Sequence, residues 1–246
     1  METTYIEIDS PDKHLSDVLE EIPSNVILYK TLTGIGATYS EIKAQRHSII
    51  IEPNVPVIIG KCNSDKHKND NLLGVYEGVT TDRIIKYLGA SRGKYYKILT
   101  TPESFTKVKD AFLIFNGKIY NTCFLLIDEA HKTIKDVDYR SDIVLPMNDF
   151  FKFKGKALVS ATPLKFSDPR FEENGFSIIK IEPTYDYAKE IDIKPSTNIL
   201  REVWEEFGWM PFITGQDKDR PFFIFINSVG IISVSYTHLT LPTNSL

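Results

Sequence analysis

Cysteine is nearly absent: the 246 residues contain two, Cys62 and Cys123, too few for the disulfide framework of a small secreted fold. Long apolar runs are missing too, and no stretch approaches the roughly 20 residues of a membrane span. The opening Met1-Glu2-Thr3-Thr4 lacks the basic start of a secretory leader. Positive charge is not in excess. Lys and Arg number 29 against 33 Asp and Glu, a net charge of -4, so the chain as a whole is no basic nucleic-acid binder. No internal repeat or low-complexity segment interrupts it. These absences lead us to expect a cytoplasmic protein with no membrane partner. Hydrophobic residues make up 42% of the chain and charged ones 25%, as in ordinary globular domains. The length allows one large domain, or one domain and part of another.

What is present is an alternation of strands and helices. Thr4 to Ile8 alternates like a short edge strand, and Ser10-Pro11 opens a predicted helix with Leu15, Val18, Leu19 and Ile22 on one face. Pro23 ends it. Val26 to Tyr29, Ser48 to Ile51, Leu72 to Tyr76, Tyr95 to Leu99, Cys123 to Ile127, Ala157 to Val159 and Ile178 to Ile181 read as strands. A helix is predicted around Asp82 to Leu88. Another starts at Thr101-Pro102-Glu103-Ser104, with Thr101 as N-cap and Pro102 at the first helical position. A helix from about Asn198 to Phe207, with Trp204 and Trp209 beside it, precedes the apolar run Phe222 to Ile226. This order predicts an α/β fold with a parallel sheet and right-handed crossovers.

One junction carries more chemistry than the others. The buried-type strand Cys123 to Ile127 runs straight into Asp128-Glu129-Ala130-His131. Open α/β sheets bind ligands at the carboxyl ends of their strands. Two adjacent acids there suit nucleotide chemistry: Asp128 would hold Mg²⁺ and Glu129 would orient or deprotonate the attacking water. A second strand, Ala157 to Val159, ends in Ser160-Ala161-Thr162-Pro163. Taken alone, that sequence reads equally as an ordinary turn.

The two elements together resemble the superfamily-two DEAD/DEAH-box helicases and translocases, over about residues 24 to 185. The resemblance implies a RecA-like P-loop NTPase domain using ATP and Mg²⁺, with nucleic acid as partner and DNA favoured over RNA. It makes Asp128 to His131 motif II and Ser160, Ala161 and Thr162 motif III, which with His131 would couple the nucleotide to the nucleic-acid track. Glu52-Pro53-Asn54 would be motif Ia and Thr101-Pro102-Glu103-Ser104 motif Ib, so that Pro53, Asn54, Thr101, Pro102 and Ser104 would lie along the track. A free helix-start amide there suits a phosphate, although an ordinary helix start reads the same way.

The phosphate loop departs from the family. Thr33-Gly34-Ile35-Gly36-Ala37-Thr38 occupies the place of motif I, with Thr38 as the second metal ligand and the Gly34 to Thr38 amides as a phosphate cradle. The usual loop carries lysine where this chain has Ala37. Three readings stay open: an ATPase that recruits another cation, with Lys30 the nearest candidate; a nucleotide binder that turns over little; or a plain glycine turn. The alternative function is accordingly a non-catalytic nucleotide- and nucleic-acid-binding module.

The resemblance also implies a second RecA-like domain in cis, whose arginines would complete the site. No Gln-x-x-Gly-Arg-x-x-Arg pattern occurs, and Phe222 to Ile226 with Asn227-Ser228 reads as that domain's opening strand. Ser233 to Thr243 resembles an in-frame translation of a transposon-end sequencing adaptor. The expected organisation is a 1–23 N-terminal extension, a 24–185 ATP-binding domain, a 186–233 linker and second-domain fragment, and a 234–246 non-native tail. The natural chain is expected to continue past about Ser233 into a full second domain. Smaller signals are ambiguous: the basic runs at Lys61–Lys68, Lys94–Lys97 and Lys152–Lys156 suit solvated loops as well as phosphate contacts. Tyr95-Tyr96 suits core more than base stacking, and Cys62 with His67 is too few ligands for zinc.

Overall fold

The computed structural model describes residues 1–32, 34–135, 145–162 and 168–186. Thr33, Pro163, the elements expected at Asn198–Phe207 and Phe222–Ile226, Trp204, Trp209, Asn227-Ser228 and the tail lie outside the described residues. The chain divides into two units, Met1–Tyr187 and Ala188–Leu246.

Eight strands form the first unit's sheet: β1 (Thr3–Ile8), β2 (Val26–Lys30), β3 (His47–Ile51), β4 (Leu72–Val75), β5 (Lys97–Thr100), β6 (Cys123–Ile127), β7 (Gly155–Ser160) and β8 (Ser177–Pro183). Their order across the sheet is β1-β8-β2-β7-β6-β3-β5-β4. All seven pairings are parallel, so every strand delivers its C-terminal end to the same rim. The apolar runs need no polar face because both faces are covered.

Side chains along the central strands alternate between two cores. Ile27, Ile49, Ile51, Ile98, Leu125, Ile127 and Leu158 join one core, with Ile84 and Leu88 of helix α4 (Thr81–Ala90) and Phe105, Val108 and Phe112 of α5 (Phe105–Phe115). Val26, Leu28, Ile50, Leu99, Leu126 and Val159 join the other, with Leu15 of α1 (Leu15–Val18), Ile42 of α2 (Ala37–Lys43) and Ile58 of α3 (Val55–Cys62). The result is a three-layer α/β/α domain. Two more helices matter below, α6 (Ile119–Thr122) and α7 (Ala130–Lys135).

Several local expectations change. The helix expected from Ser10 to Ile22 is one turn long, because Leu19 turns to an extended backbone (φ -143°, ψ 112°). Leu15 and Ile22 still reach the core. Helix α5 starts at Phe105 with Ser104 as its cap, not at Thr101. The reason is a preceding turn: the Ser104 amide donates to Thr101 O at 3.2 Å, and Phe105 N donates to Pro102 O at 3.3 Å. Strand β5 begins at Lys97, two residues late, since Tyr96 stacks on His47 with ring centroids 4.2 Å apart.

Two of the basic-run lysines are not surface charges. Lys97 and Lys156 are each 3% exposed, and Lys97 Nζ donates to Glu41 O, Ala44 O and Ser48 Oγ at 2.7, 2.8 and 3.0 Å. Three backbone and hydroxyl acceptors satisfy its three N–H groups. Burial pulls its pKa down to about 8, against the opposing pull of Glu41. Among the described residues, no helix is long and apolar enough to cross a membrane.

Candidate functional site

Strand parity decides which polar residues meet at the rim. Leu28, Ile50 and Leu126 face the core beneath α1, α2 and α3, so two residues on, Lys30, Glu52 and Asp128 turn toward that same face. All three are buried, at 7%, 4% and 3% exposure. They line a pocket of about 310 Å³ with Gly34, Ile35, Gly36, Ala37, Thr38, Tyr39, Asn54, Lys61, Glu129 and Lys132.

The loop that closes the pocket depends on its glycines. Gly34 and Gly36 have φ of 83° and 88°, left-handed values that a side chain resists. The loop is pinned from outside: Leu15 N donates to Ile35 O at 2.8 Å, and Ser40 N donates to Gly36 O at 2.8 Å. Ala37 is buried in the core beneath α2 and offers the pocket no charge.

A cation nevertheless stands in the site. Lys30 Nζ lies 2.9 Å from Asp128 Oδ1 and 2.7 Å from Glu129 Oε1. Burial works against its charge, but Asp128 and Glu129 outweigh burial and hold Lys30 above the ordinary lysine range. The other Asp128 oxygen, Oδ2, accepts a short hydrogen bond from the Thr38 hydroxyl. Oδ1 also accepts from the Glu129 amide at 2.8 Å, and the Asp128 amide donates to Ile51 O at 3.0 Å. Both carboxylate oxygens of Asp128 therefore have partners. Glu129 itself has φ of 49°, a conformation uncommon outside glycine, asparagine and aspartate.

The second strand end touches the first through His131. His131 Nδ1 lies 3.3 Å from Glu129 Oε2 and 3.2 Å from Ser160 Oγ. Ser160 Oγ donates to Thr162 O at 2.7 Å and accepts from Thr162 N at 3.1 Å. With the hydroxyl proton committed to Thr162, Nδ1 must carry the proton shared with Ser160. Ser160 is fully buried, while Ala161 and Thr162 are half-buried. Lys30, Thr38, Asp128, Glu129, His131, Ser160 and Thr162 thus form one connected chain of contacts.

Of the residues of the expected track, Asn54 lines the pocket. Pro53 and Asn54 are half-buried ahead of α3, whereas Thr101, Pro102 and Ser104 are buried. A backbone hydrogen bond ties the site to this turn: Glu52 N donates to Thr100 O at 2.9 Å. Tyr95 and Tyr96 precede β5 and so sit at the opposite rim.

Glu52 is the rim acid that pattern reading passed over as part of Glu52-Pro53-Asn54. Burial, then the charge of Asp128, pushes its carboxyl up to about 7 against the pull of Lys61. The parity of Ile50 was the available signal.

Hard oxygen donors gather here: the Thr38 hydroxyl and two carboxylates, the set Mg²⁺ prefers. Among the described residues no three His, Cys, Asp or Glu side chains cluster to hold a metal unaided. A Mg²⁺ ion there would therefore complete its shell with water, as Mg²⁺ usually does. His67 is engaged elsewhere, its Nδ1 2.8 Å from Asp70 Oδ2, and Cys62 and Cys123 are free thiols.

No protein-family model matches the chain, and no curated protein does. Solved structures do. The chain is similar to the DUF1998 helicase MrfA, at 12% identity and a TM-score of 0.50, over 88% of this chain and 35% of that one. It is also similar to the Pyrococcus furiosus Hef helicase domain, at 14% identity and a TM-score of 0.46, over 78% and 43%. A hypothetical ATP-dependent RNA helicase from Sulfolobus tokodaii matches at 16% identity and a TM-score of 0.44, over 64% and 48%. The chain spans less than half the length of each. Identities this low speak for fold alone: the described domain has a RecA-like α/β fold.

Proposed function

We propose that this helicase-like RecA domain is the first motor domain of a nucleic-acid-dependent ATPase, a DNA helicase or translocase of superfamily two. One observation carries the reading: Lys30, Thr38, Asp128 and Glu129 converge in a single pocket beside a two-glycine loop. Asp128 and Thr38 would hold Mg²⁺, which when bound neutralises charge on the phosphate oxygens. Amides from Gly34 to Thr38 would cradle the phosphates, and Glu129 would orient or deprotonate the attacking water. His131, bonded toward both Glu129 and Ser160, would pass nucleotide state to Ser160, Ala161 and Thr162. Pro53, Asn54, Thr101, Pro102 and Ser104 would border the nucleic-acid track, largely through backbone groups, since three of the five side chains are buried. A second RecA-like domain in cis would supply the opposing arginines. Free thiols at both cysteines fit a reducing cytoplasm.

The test is ATP hydrolysis by the chain joined to its second domain, with and without single-stranded DNA or RNA. Glu129→Gln should lower kcat by about a hundredfold or more, and DNA should stimulate the wild type more than RNA. Equal rates in both proteins would remove Glu129 from the chemistry. Ala37 in the lysine position favours a second reading, a module that binds nucleotide without turning it over. Tight ATP binding with no hydrolysis in either protein would select it.

A further inference from the structure

The two carboxylates share one ammonium, and that ammonium stands where a metal would. Lys30 Nζ is within 2.9 Å of Asp128 Oδ1 and 2.7 Å of Glu129 Oε1, while Thr38 closes on the remaining Asp128 oxygen. The oxygen set that suits a divalent cation is already satisfied by a buried positive charge. A second cation among these oxygens would meet strong repulsion, because charges at such separations are poorly screened inside a protein. Lysine is also the cation best able to leave: it is a compact charge on a flexible four-carbon stem. Its stem starts at the end of β2, and Gly34, Gly36 and Thr38 line the same pocket. Of the other lysines there, Lys61 is half-buried and Lys132 exposed. 

We propose that Lys30 is a resident counter-ion which keeps free divalent metal out of the Asp128–Glu129 site and moves onto the nucleotide's phosphates when they arrive. The inference rests on the nucleotide-binding reading above and deepens it. Metal entry becomes conditional on phosphate, because only an anion can draw the ammonium from the carboxylates. The same movement supplies the positive charge that Ala37 cannot.

The experiment uses the full chain and two separate readouts. Binding of free Mn²⁺ is followed by electron paramagnetic resonance without nucleotide, and ATP binding is followed by calorimetry in chelator without metal. Lys30→Met should tighten Mn²⁺ binding about tenfold or more and weaken metal-free ATP binding by a similar factor. Lys30→Arg, which keeps the charge, should still exclude Mn²⁺, and Lys86→Met, at an exposed position of α4 outside the pocket lining, should change neither readout. Lys30→Gln repeats the charge loss should the methionine variant fail to fold. Unchanged Mn²⁺ affinity in a folded, uncharged variant overturns the counter-ion role. Unchanged ATP affinity overturns the movement onto phosphate. Absence of ATP binding by the wild type sinks the nucleotide reading instead, and the Mn²⁺ result then still decides whether Lys30 guards the acids.

Discussion

Glu52 ends β3 with a carboxyl that burial and the neighbouring Asp128 charge push up to about 7, from an ordinary value of 4.5. In the unfolded chain this group loses its proton first as pH rises. The folded state therefore binds more protons between about 4.5 and 7, and stability falls with pH across that window. Glu52→Gln removes the term. The variant should match the wild type near pH 4 and exceed it above pH 7, by on the order of 3 kcal/mol at most. Urea denaturation at both pH values checks this, and a constant difference would assign Glu52 an ordinary titration. At this scale the adjacent acids Asp128-Glu129 at a strand end were legible, since they form a local pattern. Glu52 escaped because its chemistry comes from burial and from a neighbour 76 positions away, which no local pattern displays.

Elements were legible where burial is two-sided. The runs Val26 to Tyr29, Ser48 to Ile51 and Cys123 to Ile127 became β2, β3 and β6 almost residue for residue, because a strand covered on both faces must be apolar throughout. Their ends were less legible, since turns compete there: the Thr101–Ser104 turn delays α5, and the His47–Tyr96 stack delays β5. Close packing between elements is likewise invisible in one dimension. Gly155 opens β7 opposite Phe124, and a Cβ there would meet Phe124 Cδ2 at 2.9 Å and Ser24 Oγ at 3.2 Å. The ring has little room to yield, because the Arg46 guanidinium lies 3.4 Å from its centre. Gly155→Ala should cost about 1–3 kcal/mol by overpacking, read as a lowered melting temperature. Gly89→Ala on α4, where nothing lies within 4 Å, is the control and should be neutral or slightly stabilising.

Across the whole molecule, alternating strands and helices foretold a parallel α/β sheet, but not its strand order. Neighbours such as β2 and β7 are more than 120 residues apart, and three-dimensional packing alone pairs them. The N-terminal strand is an instance: β1 pairs with β8 over six positions, Thr3 to Ile8 against Ile178 to Pro183. Ile8 is 2% exposed, and burying such a side chain contributes roughly 2 kcal/mol. Removing residues 1–9 should lower the melting temperature and bare the β8 edge, a template for pairing between chains. Light scattering on warming should rise with it, and an unchanged melt would show that β1 adds nothing to the domain.

The strand order has one more consequence. Because β2, β7, β6 and β3 stand side by side, Lys30, Ser160, Asp128 and Glu52 follow one another along the rim. With strands about 4.8 Å apart, the row is roughly 14 Å wide. From its root on β2 the Lys30 ammonium reaches over β7 to Asp128, 2.9 Å away, while Ser160 by parity faces the other core with Leu158. Charge therefore gathers toward the β6 end of the row in side chains rather than in the sheet's small backbone dipole. Such a row distinguishes left from right.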